Sequence, residues 1–174
     1  MFLDLTDNSN HSVYSYLVGG ISPRPIAWVS TLSEEGVANI APYSFFTVAS
    51  CNPPVLSVTQ VNPRDNANKG TLNNLLATKE CVVNIVSHSL VDQMNQSCAN
   101  YPRDVSEFDA ANIQRTPSQL VSVPSAAASK VRYECKLREV ITISDEPSGG
   151  QMMLLDVVGI FLDDKAPTVI KQCW

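Results

Sequence analysis

The sequence predicts a mainly β protein, an antiparallel barrel with a few peripheral helices. Six or seven strand-like segments follow one another, and helical segments do not alternate strictly with them, which argues against a doubly wound α/β fold. Residues 131–138 alternate apolar and charged side chains, and this period of two is typical of a strand with one apolar and one charged face. Prolines and the run Asn52-Pro53-Pro54 punctuate the extended segments between them.

The strands are predicted from β-rich runs bounded by turn residues. Two prolines in Ser22-Pro-Arg-Pro25 fix an extended entry to the first strand, and residues 33–36 form a turn after it. In chain order, the strand-like runs cover residues 26–31, 37–40, 43–49, 55–61, 80–86, 131–143 and 151–162. The last run is apolar except at Asp156 and Gly159, so we expect it to be buried on both faces.

Two helices and a long irregular segment complete the pattern. Leu72, Leu75 and Leu76 share one face at helical spacing, and Thr71 or Asn68 can cap the start of that helix. A second helix is predicted over residues 89–99. Residues 101–129 carry little periodicity, and we expect a long excursion with a short helix near residues 106–111.

Length and charge exclude several classes of protein. The 174 residues suit one domain, which we expect to span residues 1–174. A net charge of −5 with no basic cluster makes nucleic acid and anionic membranes poor partners. No apolar run approaches the roughly 20 residues of a membrane span, and residues 1–10 lack the features of a signal peptide, so we expect a cytoplasmic protein.

The cysteines indicate neither a disulfide framework nor a zinc site. There are five, an odd number, and no CxxC pair occurs. A structural role as small hydrophobic side chains is the favoured interpretation. A catalytic Cys–His pair, such as Cys51 with His88, is the alternative.

The first segment that can carry chemistry is the strand ending in Ser30 and Thr31. Their hydroxyls and nearby backbone amides can hold a phosphate or a ribityl chain. A purely structural role is the alternative, because a Ser-Thr pair is common at a strand end.

The second segment is Asn39-Ile-Ala-Pro-Tyr-Ser-Phe-Phe46. Its extended backbone can present alternate N–H and C=O groups to the edge of a flat heterocycle, as the uracil-like end of an isoalloxazine requires. Phe45, Phe46 and Trp28 can lie against the apolar part of such a ring. The alternative is an ordinary core strand.

The third segment is Asn68-Lys69-Gly70-Thr71, which opens the helix that carries Asn73 and Asn74. A lysine and a threonine at a helix N-terminus form a small anion site, because dipole, amides, charge and hydroxyl act together. The alternative is a capped surface helix.

Taken together, these segments resemble the flavin reductase-like FMN-binding split barrel family, which includes flavoredoxin and the reductase components of two-component flavin monooxygenases. The resemblance spans roughly residues 13–160 and rests on the order and spacing of several motifs. They read SPRPIAWVST, NIAPYSFF, PPVLSV, KGTLNN and ECVVNIV, with SEFDAANI and YECKL as further matches. One departure is Lys69-Gly70-Thr71 where the family usually has Lys-Asp-Thr, and another is a C-terminus without the family's Arg-Leu-Gly-Gly-like segment.

The resemblance implies an FMN-binding split β-barrel with FMN at a homodimer interface. It implies that Ser30, Thr31, Lys69 and Thr71 hold the phosphate and ribityl end. The residues implied for the isoalloxazine are Asn39, Ala41, Pro42, Tyr43, Ser44, Phe45 and Phe46. Asn74 is a further candidate, and Arg24 is either a phosphate partner or a structural cation.

Three functional hypotheses follow. The leading one is an NAD(P)H:flavin oxidoreductase that reduces FMN for a partner oxygenase, with NAD(P)H docking transiently because no GxGxxG fingerprint is present. The second is an FMN-holding electron carrier without NAD(P)H activity. The third is a non-enzymatic split-barrel binding protein. None of them requires a catalytic acid, base or nucleophile from the chain, and we predict FMN rather than FAD because only one compact anion site is visible.

Overall fold

The computed structural model describes residues 2, 4–6, 13–63 and 70–164, and the predicted succession of strands is present in them. Seven strands form one antiparallel sheet. They are β1 (Ala27–Leu32), β2 (Ala38–Tyr43), β3 (Phe46–Cys51), β4 (Pro54–Val61), β5 (Glu80–Ile85), β8 (Val131–Thr142) and β9 (Gly150–Leu162). Two short strands, β6 (Arg115–Thr116) and β7 (Ser125–Ala126), pair with each other in the excursion.

The helices are short and peripheral. They are α1 (Val13–Gly20), α2 (Gly70–Thr78), α3 (Val91–Gln96), which follows a 3₁₀ turn over His88–Leu90, and α4 (Glu107–Ala110). No sequence pattern predicted α1, which buries none of its residues. Among the described residues, no helix is long and apolar enough to cross a membrane. The prediction of a mainly antiparallel β fold with few helices is confirmed.

The sheet curls so that its β2 end approaches β4. The strand order is β2-β1-β5-β8-β9-β4-β3, and β2 and β3 are therefore the two terminal strands. The Tyr43 hydroxyl at the end of β2 lies 3.4 Å from Gln60 Oε1 on β4. This contact joins the two strands across the barrel.

Two apolar clusters lie on opposite faces of β1, and a smaller third cluster packs Val82 against Val121 and Val123. Ala27 and Val29 point into the barrel, where Leu72 and Leu75 of α2 also pack. Trp28 points the other way, into a second cluster that contains Phe108 of α4. The period of two along β1 therefore assigns alternate residues to separate cores.

The excursion over residues 101–129 covers one face of β8. The alternation from Val131 to Leu137 is present, but Arg132 and Glu134 on its charged side are buried. Glu134 accepts hydrogen bonds from the backbone N–H groups of Gln119 and Leu120 at 2.9 and 2.6 Å. The guanidinium of Arg132 lies 3.6 Å from the ring centroid of Phe161, so both charges have partners.

The expectation that residues 151–162 are buried on both faces is wrong. Gln151, Met153 and Leu155 are buried, but the residues between them are only half-buried. Toward its end the strand is exposed, and Ile160 is 59% accessible. An apolar composition alone does not establish burial, since much of a folded protein's surface is apolar.

Candidate functional site

A cleft lies between β2, the start of α2 and the chain segment 97–107. It has an inner compartment of about 520 Å³ and an outer one of about 370 Å³. The residues that line both compartments are Asn39, Gly70, Tyr101, Arg103 and Glu107. Because the two compartments share these walls, we treat them as one site.

The wall formed by β2 is a sheet edge whose backbone groups are partly capped. β2 is a terminal strand of the sheet, so its outward N–H and C=O groups have no strand partner. The hydroxyl of Ser106 donates to the carbonyl of Ala38, and the N–H of Ile40 donates to Glu107 Oε2 at 3.1 Å. Pro42, further along the edge, has no N–H to satisfy. The start of α4 thus closes part of the edge and leaves the stretch around Pro42 to line the cleft.

A chain of side-chain hydrogen bonds connects the three elements around the cleft. Asn39 Nδ2 donates to Glu107 Oε1 at 2.7 Å, and Asn39 Oδ1 accepts from the hydroxyl of Thr71 at 2.9 Å. The hydroxyl of Thr31 lies 3.5 Å from the same oxygen and accepts from Asn74 Nδ2 at 3.1 Å. The chain links α4, β2, β1 and α2, so it stabilises the relative positions of the cleft walls.

Two acids, Glu107 on the cleft wall and Tyr43 behind β2, hold their protons to higher pH than they would in water. Burial raises the pKa of Glu107, although the hydrogen bonds from backbone N–H groups and from Asn39 oppose the shift. Burial also raises the pKa of Tyr43 to about 12, with a smaller opposing contribution from Thr71. Tyr43 is therefore a neutral hydroxyl at physiological pH.

Five of the sequence-predicted residues line the cleft. Asn39, Ala41, Pro42 and Thr71 line the inner compartment, and Asn74 lines the outer one together with Asn39. These residues come from two segments that are about 30 positions apart in the sequence. Lys69 lies outside the described residues; its neighbour Gly70 lines both compartments.

Three residues of β1 lie behind the cleft and not on its surface. Thr31 is fully buried and contacts Asn39 and Asn74. Ser30 is on the opposite face of the strand, where its hydroxyl donates to the carbonyl of Pro124 at 2.7 Å. Trp28 is also fully buried, and its indole N–H donates to the hydroxyl of Ser97 at 2.9 Å. The structure does not bring Trp28 or Ser30 to the cleft surface, because alternation along the strand turns Trp28 into the second core and Ser30 toward Pro124.

The aromatic residues after Pro42 do not line the cleft either. Tyr43 is buried in the barrel core, and Phe46 packs against the same core. Phe45 is half-buried with its ring centroid 6.5 Å from that of Tyr14 in α1, and Ser44 is half-buried in the turn before β3. Thus only the first part of the Asn39–Phe46 segment faces the cleft.

Arg24 holds the end of α1. Its Nη1 donates to the carbonyls of Val18 and Ile21, while its Nε has no partner among the described residues. Of the two roles that the sequence left open, these contacts favour a structural cation.

The described cysteines are free thiols. They are Cys51, Cys81, Cys98 and Cys135. Cys81 and Cys135 are buried and directly opposite in the β5–β8 register. Cys51 makes no hydrogen bond with His88 in the described part of the chain, so nothing favours that catalytic pair.

Sequence reasoning missed the wall that segment 97–107 supplies. Tyr101, Arg103 and Glu107 line both compartments, yet none was a predicted site residue. The segment has little periodicity, and the family motif SEFDAANI, residues 106–113, covers only its last two residues. Arg103 is exposed and makes no ion pair with any described residue, which leaves its positive charge available at the cleft.

Comparison with known proteins decides the family. The model of the flavin reductase like domain matches residues 19–169. The chain belongs to the flavin reductase-like family. A relative, an uncharacterized protein of Aquifex aeolicus, is 38% identical over 159 residues, which cover 91% of this chain and 81% of that protein.

Solved structures of this family share the fold. Nitrilotriacetate monooxygenase component B from Bacillus cereus is 32% identical with a TM-score of 0.86, covering 94% of this chain and 83% of that one. The 2-nitrobenzoate 2-nitroreductase NbaA of Pseudomonas fluorescens is 27% identical with a TM-score of 0.83, covering 98% and 81% of the two chains. A Shewanella frigidimarina structure described as having a split barrel domain is 22% identical with a TM-score of 0.78, over 95% of this chain and 82% of that one, and shows the fold alone. The predicted family and split-barrel fold are confirmed.

Proposed function

We propose that this flavin reductase-like protein binds FMN in the cleft and uses NAD(P)H to reduce it. One observation carries the proposal. Asn39, Ala41, Pro42 and Thr71, predicted from two separate segments to contact FMN, line the same compartment of about 520 Å³. That volume falls within the roughly 300–1,000 Å³ of small-molecule sites.

The chemistry of the walls fits a flavin nucleotide. Ala41 and Pro42 supply apolar surface for a planar ring, and the Asn39 amide supplies hydrogen bonds beside them. The exposed guanidinium of Arg103 supplies positive charge that a phosphate requires, and we propose that Lys69 supplies more. Thr71 was expected to hold the phosphate and ribityl end, but its hydroxyl donates its proton to Asn39. We propose that Thr71 positions Asn39.

The protein's part in the reaction is binding and orientation. When bound, a flavin accepts a hydride from a nicotinamide and passes electrons onward. The cleft residues of β2 would hold a bound flavin, and the neutral hydroxyl of Tyr43 behind that strand adds no charge. This role requires no catalytic acid, base or nucleophile from the chain, and we propose that NAD(P)H docks transiently.

Spectroscopy and kinetics together test the proposal. Purified protein mixed with FMN is expected to bind it, as followed by quenching of flavin fluorescence, and to oxidise NADH or NADPH faster than free FMN does. FMN binding without NAD(P)H oxidation would instead establish an electron carrier. Absence of flavin binding would leave a non-enzymatic split-barrel protein. A parallel titration with FAD tests the preference for FMN, which comparable or tighter FAD binding would contradict.

We also propose that the reduced flavin serves a partner oxygenase or another electron acceptor. The similarity to a protein described as a monooxygenase component supports this role. The test is whether reduced flavin made by this protein supports turnover of an oxygenase that has no reductase of its own. No stimulation over chemically reduced FMN alone would count against delivery by direct contact.

A homodimer is the proposed assembly. α1 exposes apolar side chains, with Tyr14 53% and Leu17 58% accessible, and Tyr14 lies near Phe45. β3 is a terminal strand that exposes Val48, and such an edge is available for contact with a second copy. Light scattering at micromolar concentration is expected to give twice the 18.9 kDa chain mass, and a monomeric mass would refute the assembly.

A further inference from the structure

Glu107 occupies a position in the cleft that fixes the direction of neighbouring hydrogen bonds. It is only 9% exposed, and its two oxygens accept from different donors, Asn39 Nδ2 at 2.7 Å and the Ile40 N–H at 3.1 Å. An ionised carboxylate can only accept hydrogen bonds. While the carboxylate is ionised, both Asn39 and the Ile40 N–H must therefore be the donors in these two hydrogen bonds.

The consequence is a fixed orientation of the Asn39 side-chain amide. With Nδ2 turned toward Glu107, Oδ1 faces the hydroxyls of Thr71 and Thr31 and accepts from both. Thr31 in turn accepts from Asn74. All of these donors therefore point along one direction, which ends at Glu107.

The same orientation determines what Asn39 offers to a ligand. The amide nitrogen carries two protons, and Glu107 accepts one; none of the described residues accepts the second. Asn39 lines both compartments, and a Cβ added at Gly70, on the facing wall, would lie 3.8 Å from Nδ2. The second N–H is therefore available at the cleft as a donor.

We propose that Glu107 is a positioning residue for the flavin site: acting through Asn39, it makes this wall a hydrogen-bond donor and selects an acceptor group of the ligand. This inference rests on the proposed function and assigns a role to a residue that sequence reasoning did not find. Flavins carry ring carbonyls, ribityl oxygens and phosphate oxygens that can accept such a bond. A reversed amide would present its carbonyl oxygen to them instead.

Glu107 is the charged group that sets the direction of these hydrogen bonds. Burial raises its pKa, so its neutral form persists to higher pH than that of an exposed glutamate. Other charged or titratable groups around it are Tyr43 on β2, neutral because of its high pKa, Arg103 and Asp104 before α4, and Arg115 on β6, which donates to Ser106. Glu35 lines the outer compartment, and the described residues of α2 carry no charge.

Glu107→Gln tests the inference. The amide that replaces the carboxylate must turn its carbonyl to the Ile40 N–H, so its NH₂ group faces Asn39 and requires the Asn39 amide to reverse. We expect lower thermal stability and FMN binding weakened about 10-fold, the loss of one hydrogen bond made to the ligand. Glu139→Gln on the exposed part of β8 is the matched control and is expected to change neither.

Glu107→Gln combined with Asn39→Asp separates positioning from stability. In this double variant, the carboxylate introduced on β2 can accept from the NH₂ group introduced on α4 and from both threonines, which restores the internal hydrogen bonds at unchanged net charge. That carboxylate cannot donate to a ligand, so we expect the midpoint of thermal unfolding to recover while FMN binding stays weak.

Three results would overturn the inference. They are a Glu107→Gln variant that binds FMN like the parent, recovery of FMN affinity together with stability in the double variant, and a double variant no more stable than Glu107→Gln. A parent protein that binds no FMN refutes the proposed function first, and the inference fails with it.

Discussion

Thr71→Val examines whether Thr71 touches the ligand or acts through Asn39. Valine keeps the shape of threonine but removes the 2.9 Å bond to Asn39 Oδ1, leaving that oxygen only the longer 3.5 Å contact with Thr31. Thr71 is 1% exposed, and Asn39, which keeps the acceptor oxygen, is half-buried. Loss of one neutral hydrogen bond costs about 0.5–1.5 kcal/mol, and each kcal/mol lowers Tm by roughly 2–4 °C in a chain of this length.

The assay compares FMN with riboflavin, which lacks the phosphate. If Thr71 acts through Asn39, the binding of both ligands is expected to weaken by the same factor, about 2- to 10-fold for a neutral hydrogen bond of about 0.5–1.5 kcal/mol. Fluorescence titrations well below the unfolding temperature measure both. Thr78→Val is the matched control, because Thr78 lies at the other end of α2 and donates to the helix carbonyl of Asn74.

A phosphate-specific effect would refute this reasoning. If Thr71→Val weakens FMN binding but leaves riboflavin binding unchanged, the Thr71 hydroxyl contacts the phosphate directly. Its hydrogen bond to Asn39 is then replaced by one to the phosphate when FMN binds. Unchanged stability would equally show that the bond to Asn39 contributes little.

Further predictions concern charged residues of the cleft and of β8. Lys69→Ala is expected to weaken FMN binding about 10- to 100-fold, the value of a charge-assisted hydrogen bond, and to leave riboflavin binding unchanged. Lys79→Ala is the control. Equal losses of affinity for both flavins would exclude a phosphate contact. Glu134→Gln leaves one of the two backbone N–H groups of Gln119 and Leu120 without an acceptor. Denaturant titrations are expected to show a free energy of unfolding lower by about 1–3 kcal/mol. No change would show that the excursion packs on β8 without this carboxylate. Because burial raises the pKa of Glu107, its contribution to stability is greatest below its unfolded pKa and falls as pH rises through the higher folded pKa. The stability difference between the parent and Glu107→Gln is therefore expected to shift against the parent with rising pH across that window, and a constant difference would contradict the shift.

The amino-acid sequence determined the strand succession and much of one cleft wall. Alternation from Val131 to Leu137, the prolines before Ile26 and the leucine spacing of α2 are local signals, because backbone geometry sets periods of 2 and 3.6. For the same reason, the predicted segments over residues 39–46 and 68–74 could be located without knowing what surrounds them. The family resemblance then joined them into one site.

Only the tertiary structure decided which residues of those segments face the cleft. The direction of alternation along β1 turns Trp28 into the second core and Ser30 toward Pro124. Sequence spacing gives the period of two without saying which face a ligand would use. Glu107, on the excursion, reaches Asn39 across 68 positions, and the burial of Glu107 at that contact raises its pKa. Packing of the excursion also buries Arg132 and Glu134 of β8. Such contacts depend on where an irregular segment packs, and a segment without periodicity carries no local signal of its destination.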